Sequence, residues 1–126
     1  MKSYTRACIA YIVGRLIAGK NVTAIYDYEE AREIDVSGLP DSRCLKEFAN
    51  INWSYLSGGA GICRYQYSCS AGHHFHLSVK GNTFVGYIRN SPCHFMGKVK
   101  GDAVYLYDHQ QSSHFNFRIS GNAVSH

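Results

Sequence analysis

VGYIRNSPCHFMGKVKGDAV (85–104) and YLYDHQQSSHFNFRISGNAV (105–124) align without a gap, and YQYSCSAGHHFHLSVKGNTF (65–84) aligns with both. In each unit His-Phe recurs, at His74-Phe75, His94-Phe95 and His114-Phe115. Gly81, Gly101 and Gly121 each precede Asn or Asp. Gly-Asn and Gly-Asp between apolar runs are two-residue hairpin turns in which glycine takes positive φ. A repeat of 20 residues holds two strands and two turns. Sequential strands joined by short turns pair antiparallel, so the repeat predicts a β-meander over 62–124.

Upstream, Ile25-Tyr26-Asp27-Tyr28 echoes Leu106-Tyr107-Asp108-His109, and Ile34 follows Tyr26 at the spacing at which Phe115 follows Tyr107. Residues 22–38 therefore read as a truncated copy of the hairpin. Residues 3–18 read as a helix: Ile9, Ile12, Val13, Leu16 and Ile17 form one stripe, Ala10, Gly14 and Ala18 a small-residue stripe opposite, and Gly19 ends it. A helix apolar on one side and small on the other is expected to be buried between layers. Residues 39–61 break the pattern. Pro40-Asp41-Ser42 caps a short helix through Phe48, Ile51 to Tyr55 alternates like a strand, and a glycine-rich turn follows at 57–61.

Pairing Lys80 with Thr83 and Lys100 with Ala103 sorts side chains onto two faces. One face collects Phe75, Leu77, Val79, Phe84, Ile88, Phe95, Val99, Val104, Leu106, Phe115, Phe117 and Ile119, a core for the N-terminal helix to cover. Arg64 and Gln66 also fall there, which marks an edge strand, a bulge or a different register in the first strand. The opposite face carries rows of Cys69, His74, Arg89, His94, His109, His114, then Tyr67, His76, Tyr87, Met96, Tyr107, Asn116, then Tyr65, Ser78, Val85, Lys98, Tyr105, Arg118. These rows contain no acid. Tyr67, His74, His76, Tyr87, Arg89, His94, Tyr107, His109 and His114 are the candidate ligand-binding residues, because aromatic faces and cationic donors on a sheet take bases, sugars and other anionic partners. The same pairs also stabilise a solvent face or a subunit seam, by a few tenths to about 1 kcal/mol each.

The 126 residues make one domain, with 10 Tyr and 6 Phe favouring strands and a net charge of +4 that is ordinary for a soluble protein. Five cysteines without a CxxC pair fit neither a complete disulfide framework nor a zinc knuckle, and read as reduced thiols. Lys2 and Arg6 ahead of an apolar stretch imitate a secretory leader, but Arg15 interrupts it and no A-x-A site follows. The expectation is a cytoplasmic protein that spans no membrane, with secretion as the alternative. A row of histidines on a flat sheet diverges rather than enclosing an ion, and copying explains its periodicity, so neither metal nor cofactor is expected. Cys69 with His74 and Cys93 with His94 are conceivable nucleophile-base pairs, and Asp27 with Asp108 a conceivable carboxylate pair, but no third group orients them. Tyr-Asp at a hairpin end more often binds its own backbone.

Phe84-x-Gly86, Gly97 and the Gly101-Asp102 turn resemble a MORN repeat over about one unit; Leu106 and Phe117 replace the two glycines in the next copy, and no family is assigned. The expected architecture is mostly-β α+β: an N-terminal helix packed on a twisted antiparallel meander, its edges protected by barrel-like closure or by homo-oligomerisation. The expected function is a non-catalytic binding module for a protein, sugar or anionic ligand, nucleic acid being the weaker choice. A structural seam and a small Cys/His or Asp enzyme are the alternatives.

Overall fold

In the computed structural model, residues 1–56, 61–69 and 74–123 are described, except for the side chains of 53–56 and 123. Helix α1 (Ser3–Val13) continues into a π-helical turn (Gly14–Ala18) and stops where Gly19 turns left-handed, at φ 68°. Strands β1 (Lys20–Asp27) and β2 (Arg32–Asp35) form the first hairpin, and helix α2 (Ser42–Leu56) follows. The meander is β3 (Ile62–Ser68), β4 (His74–Lys80), β5 (Thr83–Ile88), β6 (His94–Lys100), β7 (Ala103–Asp108) and β8 (Ser113–Ala123). One antiparallel sheet results, in the order β2-β1-β8-β7-β6-β5-β4-β3. The mostly-β α+β expectation holds.

Helix α1 packs against β1, β7 and β8, and its π turn reaches β6 and α2. It is buried without interruption from Thr5 to Leu16, as the unbroken run of apolar and small residues from Ala7 to Gly14 requires. Two arginines share that burial. The Arg6 guanidinium lies 3.9 Å above the Phe115 ring, and Arg15 donates from Nη2 to Asn50 Oδ1 at 2.6 Å, tying α1 to α2. The sheet stays open, with β2 and β3 as its edges. An eight-stranded barrel has room inside for side chains or one small ligand, whereas a helix is about 10 Å across, so a sheet of eight strands that covers α1 stays open.

The turns at Gly81 and Gly101 have φ 60° and join Lys80 to Thr83 and Lys100 to Ala103 as expected. Gly121-Asn122 is not a turn: β8 runs through it and pairs Gly121 with Val22 on β1, beside a register shift between Val22 and Ala24. Glycine is still required there, since at φ 157° a Cβ would run into the Asn21 carbonyl. Residues 42–56 form one helix rather than a helix and a strand. Leu45, Phe48, Ala49 and Asn52 fall on one helical face, and the chain carries no Gly or Pro between Asp41 and Ser57 to stop it. The rest of the glycine-rich turn, residues 57–60, and Val124 lie outside the described residues.

The whole expected core face is found inward, but β3 departs from the repeat. Where β5 pairs Tyr87 with His94 and β7 pairs Tyr107 with His114, β3 pairs Tyr67 with Phe75. That one-residue offset turns every side chain of β3 over. Cys63, Tyr65 and Tyr67 go inward, and Arg64 and Gln66 outward, which avoids burying a charge and an amide on an apolar core.

Candidate binding face

Each Tyr-Asp hairpin is organised by its aspartate. Asp27 Oδ1 accepts the backbone N–H groups of Glu29 and Glu30 (2.9 and 3.3 Å), and Asp108 Oδ1 those of Gln110 and Gln111 (2.9 and 3.4 Å). Ala31 and Ser112 then take left-handed φ values of 53° and 50°. The two carboxylates thus serve their own turns.

That loop geometry sets the rows on the outer face, turned away from the helices. One row runs His76, Tyr87, His94, and the next Ser78, Val85, Met96, Tyr107, His114. A third runs Lys80, Thr83, Lys98, Tyr105, Asn116. Compared with the sequence-based rows, β5–β6 and β7–β8 are each displaced by two residues, so the faces survive while the neighbours change. His94 faces Tyr87 rather than Arg89, and His114 faces Tyr107 rather than His109.

The rings interlock accordingly. His76 stacks on Tyr87 at 4.7 Å and 16°, with His94 at 5.7 Å on the same ring; Tyr107 meets His109 at 4.9 Å and His114 at 4.7 Å. The His109 N–H donates to the His94 carbonyl at 2.9 Å and joins the two ladders into one band across β4–β8. Six candidate residues therefore come together, with exposed Arg89 at their margin. His74 leaves the band and lines a cavity of about 460 Å³ at the end of the sheet, with Lys2, Tyr4, Ile88 and Cys93. Tyr67, expected on this face, is instead 1 % exposed in the core, where its hydroxyl donates to Asp41 Oδ2 at 3.1 Å and its ring meets Phe48. Tyr65 and Cys69, placed beside it in the outer rows, are likewise buried.

The apolar members of this face lie outside the candidate ligand-binding residues that the sequence suggests. Val85, Met96 and Tyr105 are 49 %, 44 % and 38 % exposed, and with Lys98, Tyr107 and His114 they line a groove of about 690 Å³ over Gly97. Their signal was an apolar residue at an outward position in the alternation. The face carries no carboxylate along these rows, and Lys98 Nζ stands 5.6 Å from the Tyr105 ring. Among the described residues the side-chain ion pairs use Lys20, Arg32 and Arg43, leaving Arg64, Lys80, Lys98, Lys100 and Arg118 outside them.

The thiols are poorly placed for catalysis. Cys93 is buried while His94 points to solvent, and the Cys93 Sγ lies 3.6 Å from Asp108 Oδ1. Burial first, and then that carboxylate, raise the Cys93 pKa, which keeps it a thiol. Burial likewise pushes Cys8 up to about 12, helped by Asp41 and Cys69. All five cysteines are free, and no three His, Cys, Asp or Glu side chains among the described residues gather as a metal site would require. No described helix is long and apolar enough to cross a membrane. The chain matches no protein family model, no curated protein and no solved structure.

Proposed function

We propose that the chain is a non-catalytic binding module that presents the outer face of β4–β8 to an anionic partner. The observation that carries this reading is the exposed, acid-free sheet face, on which cations outside any ion pair flank exposed Val85, Tyr87, Met96 and Tyr105. Exposed apolar patches rimmed by polar groups are characteristic of interaction sites, and the single sign of charge selects the partner. The interlocked Tyr and His rings act here as a rigid scaffold. Five free cysteines support a reducing, cytoplasmic compartment.

The test is an array of sulfated, phosphorylated and acidic protein ligands probed with the native chain and with a Tyr87→Ala/Lys98→Glu/Arg118→Glu variant. Ligands of the native chain should weaken with added salt and be lost by the variant. If the variant retains them all, this face is not the binding surface. A subunit seam is the second reading, favoured by the seven-residue open edge at β3, which carries no proline and a single charge. A strict monomer by sedimentation across micromolar concentrations removes it.

A further inference from the structure

We infer that the groove over Gly97 binds an acidic segment of a partner protein studded with apolar side chains, an inference that rests on the outer face being the binding surface. The shape supplies the first argument. The 690 Å³ groove adjoins a second depression of about 330 Å³ lined by Val85, Gly86, Tyr87 and Met96, so Val85 and Met96 form a shared ridge between the two. Five strands at about 4.8 Å spacing make a track of roughly 19 Å, the length of about six extended residues or about 13 helical ones. A short peptide fits that track.

Ring geometry weighs against stacked ligands at Tyr87 and Tyr107, two of the three tyrosines on these rows. Bases and sugars stack on free aromatic faces. Tyr87 has His76 and His94 against it, and Tyr107 has His109 and His114. What the groove offers instead is the aliphatic surface of Val85 and the adaptable thioether of Met96, beside the Tyr105 ring. These suit Leu, Ile, Phe or Met side chains. The rim then requires acids: Lys98 stands in the groove wall, Lys80 shares its row, and Arg64 and Arg118 lie in the flanking rows. An amphipathic acidic segment satisfies floor and rim together.

The experiment is selection of peptides of about twelve residues from a randomised display library on the immobilised full chain, followed by titration of labelled winners. Winners should interleave Asp or Glu with Leu, Ile, Phe or Met. Met96→Asp should weaken them about tenfold or more, Lys98→Glu about fivefold, and Arg43→Glu, exposed on α2, not at all. If Met96→Asp fails to fold by circular dichroism, Lys98→Glu carries the test alone. The inference is overturned by winners that are not acidic, by the absence of winners, or by acidic winners that bind the groove variants like the native chain. Heparin and an oligothymidylate are titrated in parallel. If either binds and is lost in Lys98→Glu while acidic peptides do not enrich, the anionic-ligand reading stands and the peptide inference falls; if nothing binds, both fall.

Discussion

Single atoms decide much at Gly86 and Gly97. These residues face the core opposite Phe95 and Phe84, whose rings lie over them, and a Cβ at Gly97 would meet the Tyr105 carbonyl and stand 2.6 Å from Phe84 Cζ. Backbone cannot yield as a flexible side chain does. Gly97→Ala should therefore destabilise the protein by about 1–3 kcal/mol, read as a lower urea midpoint with unchanged slope. A midpoint equal to that of the native chain would mean that β6 and β7 separate more freely than these contacts allow. The aligned positions Leu106 and Phe117 carry large side chains in the following copy, so the repeat alone does not reveal which glycines are obligatory.

Hairpins and helices depend on a few polar contacts. The Asp27 carboxylate holds two backbone N–H groups in the β1–β2 turn, so Asp27→Ala should cost about 1–3 kcal/mol in chemical denaturation, while Asp27→Asn, which keeps an acceptor oxygen, should recover much of it. Equal losses for the two variants would show that the negative charge of the carboxylate, not the acceptor oxygen in the turn bonds, sets the effect. Helix α2 is tied to β3 by the Tyr67–Asp41 bond, and Tyr67→Phe removes only the hydroxyl. We expect a loss of about 1–2 kcal/mol and faster hydrogen exchange in the first turns of α2, with β5–β8 unaffected. Uniform acceleration across the sheet would place α2 within the global unfolding unit instead. The strand expected at 51–55 illustrates the same scale: alternation is a weak signal when the chain has no break, and the helix begun at Ser42 continues to Leu56.

Across the whole molecule, the buried interior between helices and sheet couples stability to pH. Cys8 on α1 has its thiol pKa raised from 9.0 to about 12, chiefly by burial. The folded state therefore binds the proton more tightly, and the stability this contributes is complete below pH 9 and is lost as pH rises toward 12. Tyr11 and Tyr67 are raised mainly by burial as well and act in the same direction. Denaturation midpoints should fall progressively above pH 9, and Cys8→Ala should flatten the onset of that fall. An identical pH profile for the variant would show that the Cys8 thiol is hydrated in the folded protein.

The sequence by itself determined the repeat, the two Gly-Asn/Asp turns, the division of β4–β8 into inner and outer faces, and the N-terminal helix. Each of these rests on local turn chemistry or on a period that a single strand or helix carries within itself. Much of the outer band was legible for that reason: strand alternation turns His76, Tyr87, His94, Tyr107, His109 and His114 the same way whichever even shift the register takes. Only the tertiary structure decided the register of β3, the ring-to-ring neighbours and the open sheet. All three depend on long-range contacts, and for β3 on which pairing buries least charge: turning it over by one residue exchanges Arg64 and Gln66 for Tyr65 and Tyr67 in the core, and no local pattern reports that balance.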